Sequence, residues 1–501
     1  MHHNQLKNIV IVGGGTAGWM AGALMSKYMP SKSTKITLIE SEEIGTVGVG
    51  EATIPHLENF NHLLGIDEAT FMKKTHATFK LGIDFVDWYK KGESYIHPFG
   101  DYGIEMNGLQ FYHYWGRMKA LGETFPLEAY SMNIAAARAG KFIRPVADPS
   151  SLASRIRHAY HLDASMYAKF LREFAESHGA NRIEGKVIEV HQRAEDGFLT
   201  GVTLDSGQKI EGDLFLDCTG FRGLLIEGAL ETGYEDWSHY LPMDRALAVP
   251  TSKVGDPPPY TVATARDAGW TWRIPLQHRV GNGHVYSSKY MDKAQAEKIL
   301  LDNIIGEPLA EPKQLFFKTG RRNKFWNKNC VALGLSSGFL EPLESTSIHL
   351  IQEGLVRLLA LMPDMNFNAE NSKEYNRVMG LSYERIRDFI LLHYVATIRD
   401  DTPFWRDVQA IELPETLEHR MRLLCESGHY VKYEQDLFWL DSWLAVMDGQ
   451  GFSPKIYSPL ADAMDERQLA QTMAQLRHAV SEITRQMPTH QQFINQYCKS
   501  N

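Results

Sequence analysis

The stretch Asn8-Ile9-Val10-Ile11-Val12-Gly13-Gly14-Gly15-Thr16-Ala17-Gly18 runs from a short apolar segment straight into glycines spaced as G-x-G-x-x-G at Gly13, Gly15 and Gly18. The apolar run has the length and β-branched content of a buried strand. Ala17 to Tyr28 then reads as a helix, and Lys35-Ile36-Thr37-Leu38-Ile39-Glu40 as a second strand. Strand, glycine turn, helix and strand in this order make a βαβ unit. The first glycine allows the tight turn, the second lets backbone approach a pyrophosphate, and the third lets helix and strand pack closely. With Thr16 and Ala17 the three glycines open a helix whose N-terminus faces the phosphates, and Glu40 ends the next strand where an acid binds a ribose hydroxyl. A bare glycine motif is weak evidence, and the alternative is a turn with no ligand. The surrounding strand–helix–strand context is what selects a dinucleotide.

Working outward, Leu162 to His178 has the spacing of an amphipathic helix. Strand-like runs follow at 186–192, 199–204 and 213–217. A further apolar run at 330–334 precedes a glycine-rich turn, Gly334-Leu335-Ser336-Ser337-Gly338, and a helix beginning near Ser345. A strand ending in a small-residue turn, Asp213 to Gly220, favours FAD over NAD as the dinucleotide. No second G-x-G-x-x-G for NADPH is found, so electrons have to arrive from elsewhere. The predicted class is α/β: an FAD-binding Rossmann-like domain of flavin monooxygenase type, a second substrate-binding unit, and a mainly helical C-terminal part. The FAD domain is expected to be discontinuous, over 1–100, 155–235 and 320–365. The substrate-binding unit takes 101–154, 236–319 and 366–501. The proline-rich Asp256-Pro257-Pro258-Pro259 reads as a loop.

Bulk composition narrows the function. The sequence has 501 residues, 44% of them hydrophobic, enough for a large core divided into two or more units. A net charge of −9 disfavours a nucleic-acid partner. The four cysteines, Cys218, Cys330, Cys425 and Cys498, form no CxxC pair, so neither a disulfide framework nor a metal site is expected. The opening Met1-His2-His3-Asn4-Gln5-Leu6-Lys7 lacks the pattern of a signal peptide, and no run of about 18 apolar residues suggests a membrane span. A cytoplasmic enzyme is the expectation, with a homodimer left open.

Several longer blocks are specific. They are Gly13 to Met20 (GGGTAGWM), Gly48 to Pro55 (GVGEATIP), Phe79 to Ile83 (FKLGI), Asp213 to Ile226 (DLFLDCTGFRGLLI), Gly269 to Pro275 (GWTWRIP) and Gly338 to Ser347 (GFLEPLESTS). In these blocks the sequence resembles the flavin-dependent tryptophan halogenase family along most of its length. The resemblance implies that FADH2 and O2 form a C4a-hydroperoxide that oxidises chloride or bromide to hypohalous acid. The acid then halogenates an electron-rich aromatic ring, indole-type by family. It also implies a separate NAD(P)H-dependent flavin reductase as partner and an aromatic small molecule as substrate.

The same resemblance assigns residues. Trp270 and Trp272, two apart and so on one face of a strand, with Ile274 continuing that face, stand beside the flavin and keep the organic substrate from it. Lys80 is the essential lysine between the flavin and substrate chambers, acting by hydrogen bonding to hypohalous acid or as a haloamine. The residues alone leave a solvated surface lysine open. Glu344 matches the catalytic glutamate, placed to take the proton lost when aromaticity returns. Glu341 is read as structural. Thr346 and Ser347 fall at the halide turn, where backbone N–H groups at a helix start suit an anion. Ser347 departs from the glycine expected there, which makes bromide preference a fair hypothesis. Ala52 and Val187 are implied FAD contacts, with Leu335 and Ile348 near the flavin ring. His97 and Phe99 match aromatic positions that stack on the indole, against the rival reading of a buried structural histidine. Asp436 to Gly451 does not reproduce the pattern that grips the amino and carboxyl groups of free tryptophan, although Trp439 and Trp443 could line an aromatic pocket. Indole, a substituted indole, a phenol, a pyrrole or a peptide-bound tryptophan stay open. An aromatic hydroxylase and a non-enzymatic flavin-binding regulator are the alternative functions.

Overall fold

A computed structural model describes residues 4–30, 32–43 and 50–500. Gly48 and Val49 of the GVGEATIP block, and Met1 to His3 of the segment read for a signal peptide, lie outside the described residues. The chain divides into two compact units. The first comprises 1–76, 162–244 and 316–384, and the second 77–161, 245–315 and 385–501.

The first unit is built on a six-stranded sheet. Its strands follow the order Trp326–Asn327, Cys330–Ala332, Leu214–Asp217, Asn8–Val12, Lys35–Glu40, Asn181–Glu184. All neighbours are parallel except the antiparallel first pair. Parallel strands covered on both faces need continuous apolar runs, and Ile9, Val10, Ile11 and Val12 are all buried. In register, Val12 stands opposite Asp217 and Ile39, and Asp217 opposite Ala332. The carboxyl ends of four strands therefore meet at the glycine turn, where open α/β sheets bind ligands. Helix Thr16–Tyr28 leaves that turn and ends before Pro30, which cannot continue a helix. Helix Ala164–Ser177 packs on it, with Gly22 close enough that a Cβ there would touch the Ala175 methyl at 3.7 Å. Its inward side chains include Tyr167, Ala168, Leu171 and Ala175. Burying one such large apolar side chain contributes about 2 kcal/mol.

Two boundaries differ from the sequence expectation. The helix read from Leu162 begins at Ala164, because strand Ala159–Asp163 runs on to Asp163. The Asp163 carboxylate then caps it, accepting from the Ser165 and Met166 N–H groups at 3.1 and 3.3 Å. The helix expected near Ser345 begins at Ser347, after a single 3-10 turn, Pro342–Glu344, and a left-handed Ser345 at φ 59°.

The second unit holds an extended sheet in which strands Arg245–Ser252, Arg279–Tyr286, Gly269–Pro275, Thr261–Arg266, Gly82–Val86 and Ser94–Pro98 follow one another. The pairings among them are antiparallel except Gly82–Val86 with Thr261–Arg266. That parallel pairing, Ile83 opposite Thr261, draws 77–100 into this unit rather than the first, where the sequence reading placed it. Helices Pro403–Gln409, Glu415–Ser427, Leu440–Gly449, Glu466–Gln486 and His490–Tyr497 make its C-terminal part mainly helical. All four cysteines are free thiols. Among the described residues no helix is long and apolar enough to cross a membrane.

Candidate active site

In the first unit the glycine turn is forced by close contact. A Cβ on Gly13 would lie 2.2 Å from the Cys218 carbonyl oxygen, and Gly13 itself sits at φ 111°. A Cβ on Gly18 would lie 1.8 Å from the Gly13 carbonyl oxygen. Gly15 caps helix Thr16–Tyr28 without a side-chain hydrogen bond, so no side chain takes the helix's first N–H groups. That leaves donors for a diphosphate at the positive end of the helix dipole. Ala17 stands against Gly334, where a Cβ would come within 2.8 Å of the Ala17 methyl. Leu335 follows on the short turn Gly334–Ser336, partly exposed.

Glu40 ends its strand as expected and is already engaged. Its carboxylate accepts from Trp19 Nε1 at 3.2 Å, pairs with Arg182 and lies 3.5 Å from Arg172. Neither arginine was singled out in the sequence. Ala52 is buried on strand Gly50–Ala52. Val187 opens strand Val187–Gln192 and packs against a core cluster containing Val12 and Ile39.

Asp217, also missed, organises the second turn of this unit. One carboxylate oxygen accepts from the Thr219 N–H and hydroxyl at 3.0 and 2.7 Å. The other accepts from the Leu225 and Ile226 N–H groups at 2.8 Å each. A buried acid at the end of a parallel strand, followed by Thr and Gly, was the available signal.

The segment 341–352 gathers buried polar groups. Glu341, Glu344 and Thr346 have no exposed surface. Burial therefore does not separate Glu344, assigned to chemistry, from Glu341, assigned to structure. Ser345 in the left-handed region reverses the chain between the two helical turns. Thr346 then caps helix Ser347–Ala360 with backbone alone, its hydroxyl buried without a partner. Ser347, partly exposed, takes the first helical position, and Ile348 is buried. One and two turns on, His349 Nδ1 and Gln352 Nε2 are likewise buried without partners. Burial, with His56 4.7 Å away edge-on, pushes the His349 imidazole down to about 3. Buried orphan polar atoms are rare and costly, and three along one helix fit a polar ligand lying against it. Together with the uncapped helix and the glycine turn, they suit a flavin dinucleotide and an anion. Burial also pushes Glu51 up to about 7, an ionisable group within the GEATIP sequence that was not singled out.

In the second unit, Lys80 closes strand Thr78–Lys80 with no exposed surface, its Nζ 5.0 Å from the Phe99 ring centre. This strand pairs with Ala159–Asp163, Thr78 opposite His161 and Lys80 opposite Ala159. The Thr78 hydroxyl donates to the Pro275 carbonyl at 2.7 Å. It must therefore accept from His161 Nδ1, 2.9 Å away, and His161 Nε2 accepts from the Thr261 hydroxyl at 2.9 Å. Burial, then the Lys80 charge, holds His161 well below the usual histidine range. The neutral imidazole matches this bonding.

Trp270 and Trp272 share a face of the central strand Gly269–Pro275, ring centres 6.0 Å apart. Trp270 is buried, with its Nε1 unpartnered, and Ile274 is buried beyond it. Trp272 is partly exposed. His97 is buried, its ring 5.5 Å from Phe389 and 5.9 Å from Phe438. Phe389 stacks on Phe438 at 4.0 Å, and Trp443 meets Phe389 edge-on at 5.2 Å. Phe99 is partly exposed. Phe389 and Phe438 were not anticipated. Trp439, by contrast, is 60% exposed beneath Lys432 and joins no such group.

Comparison with known proteins identifies the family. The family model described as Tryptophan halogenase matches residues 8–466. The tryptophan 7-halogenase RebH of Lentzea aerocolonigenes is 34% identical over 495 residues, covering 91% of each chain. The solved structure of BrvH, a flavin-dependent halogenase from Brevundimonas sp. BAL3, has a TM-score of 0.95 at 46% identity, covering 99% of this chain and 100% of that one. Xcc4156, a flavin-dependent halogenase from Xanthomonas campestris, also has a TM-score of 0.95, at 48% identity and 99% coverage of both chains.

Proposed function

From the chain's membership of the tryptophan halogenase family, which makes it a flavin-dependent halogenase, we propose that it halogenates an electron-rich, indole-type aromatic ring through Lys80 and Glu344. Reduced FAD, when bound, would supply the electrons with which O2 oxidises a halide to hypohalous acid. A separate NAD(P)H-dependent reductase provides the reduced flavin.

The protein's own residues do the rest. Gly13, Gly15, Thr16, Ala17 and Gly18 hold the diphosphate on a helix N-terminus, and Glu40 reaches the ribose side. Ala52, Val187, Leu335 and Ile348 line the flavin. The Thr346 hydroxyl and the N–H groups opening its helix bind the halide, with Ser347 setting the pocket size. Trp270, Trp272 and Ile274 shield the flavin from the organic ring, so that oxygen chemistry meets halide first. The Lys80 ammonium hydrogen-bonds hypohalous acid and makes its halogen electrophilic. Glu344 takes the proton that leaves the ring. His97 and Phe99 present flat faces on which the substrate lies, and its orientation there sets the position attacked.

The observation that carries this reading is the complete burial of Lys80. It excludes the solvated surface lysine that the residues alone left open.

The test supplies FAD, NADH, a flavin reductase, bromide and indole. The expected product carries the bromine isotope doublet. A gain of one oxygen instead would make the enzyme a hydroxylase, and no turnover across a broad set of phenols, pyrroles and indoles would leave a flavin-binding protein.

A further inference from the structure

We propose that His490 is a positioning residue for Lys80, acting through the main chain of Phe79. The inference rests on the role proposed for Lys80 above.

Among the described residues, strand Thr78–Lys80 pairs with one strand, Ala159–Asp163, along one edge. On the opposite edge the loop of Pro257 to Pro259 runs past it. This loop offers carbonyl oxygens, and its prolines have no N–H. The Leu81 N–H reaches the Pro259 carbonyl directly at 2.7 Å. The Phe79 N–H, two residues earlier on the same edge, donates instead to His490 Nε2 at 3.1 Å. His490 Nδ1 lies 2.8 Å from the Pro257 carbonyl, which can only accept, so the proton is on Nδ1. One imidazole thus fills a missing rung between strand and loop, as acceptor on one nitrogen and donor on the other.

The packing fixes that ring. His490 is buried at the start of helix His490–Tyr497, which Thr489 closes with a capping box. The Phe79 side chain is stacked on Phe142 at 4.0 Å, with Phe493 edge-on at 5.5 Å. The residues on both sides of Lys80 are therefore held through their N–H groups, by His490 at Phe79 and by Pro259 at Leu81. The Lys80 side chain springs from backbone with little freedom. Catalytic geometry of this kind tolerates little error, since a displacement of about 1 Å costs on the order of a hundredfold.

Leu at position 490 fills the space and removes both hydrogen bonds. Gln offers an acceptor and a donor at a similar separation. The readout is the ratio of brominated indole to total oxidant, the latter captured by a soluble β-diketone that traps hypobromous acid escaping into solution. Flavin binding is followed by fluorescence quenching. His490→Leu is expected to lower the ratio at least about tenfold with flavin binding retained, and His490→Gln to restore it to within about threefold of wild type. If His490→Leu does not fold, His490→Asn, too short to reach both partners, carries the same expectation. Lys80→Ala is the control. A wild-type ratio in the His490 variants, with Lys80→Ala defective, overturns the positioning role. A wild-type ratio in Lys80→Ala overturns the reading of Lys80 itself.

Discussion

Trp272 packs against Gly283, the residue opposite it on the neighbouring strand: a Cβ on Gly283 would come within 2.1 Å of the indole ring and 2.5 Å of the Leu247 carbonyl oxygen. The absence of one methyl group in strand Arg279–Tyr286 is what allows this tryptophan its orientation.

Gly283→Ala should therefore push the ring out of place. Overpacking costs about 1–3 kcal/mol of stability, and the shielding proposed for Trp272 is lost with its orientation. The expected result is a melting temperature lowered by a few degrees and a rise in oxygenated or peroxide side products relative to halogenated ring. Unchanged product partitioning in a folded variant would remove Trp272 from the shielding role.

Glu344→Gln keeps the shape of a fully buried side chain and removes its ability to take a proton. Ring halogenation should fall by roughly a hundredfold, with flavin affinity unaltered. A turnover number within twofold of wild type, in single-turnover quench experiments, would contradict the assignment.

Ser347 occupies the first position of the helix capped by Thr346. On the proposed halide role, its side chain sets the size and polarity of the anion site. Bromination is expected to outpace chlorination, and Ser347→Gly to narrow the difference severalfold. Parallel rates with the two halides decide the matter, and a wild-type preference for chloride would refute it.

Acid should destabilise the protein through its buried histidines. Burial pushes His490, His284 and His113 down to about 4, and His349 to about 3. Unfolded histidines titrate near 6.5, so between pH 6.5 and 4 the unfolded chain binds more protons. Stability therefore falls as pH drops through that window. Across that whole window His490 alone accounts for about 3 kcal/mol. Glu51, pushed up to about 7, and Asp441, to about 6, act in the opposite sense and are outnumbered. Denaturant midpoints at pH 7 and pH 5 test this, with His490→Gln expected to flatten the slope. A higher midpoint at pH 5 would contradict it.

The dinucleotide turn was legible because its signal, a glycine spacing after a uniformly apolar strand, is local in sequence. Gly18 answers to the nearby Gly13 carbonyl, although the carbonyl that requires Gly13 comes from distant Cys218. The helix after Glu344 was misplaced by two residues, because a left-handed Ser345 carries no glycine or asparagine to announce it. The assignment of 77–100 failed for a longer-range reason: strand Gly82–Val86 takes its partner from Thr261–Arg266, far along the chain. His161 and His490 were invisible for the same cause, whereas the carboxylate bonds of Asp217 stay within nine residues of it. Each of the two histidines is an ordinary residue in sequence, and what distinguishes it is the bond it makes to a distant backbone or hydroxyl group.

The hydrogen bond from Phe79 to His490 joins residues 411 positions apart. On a ribosome adding roughly 5–20 residues per second, the lysine's strand emerges on the order of 20–80 s before its imidazole clamp exists. The placement proposed for the Lys80 side chain is therefore completed only after residue 490 has been made, well after the strand that carries it.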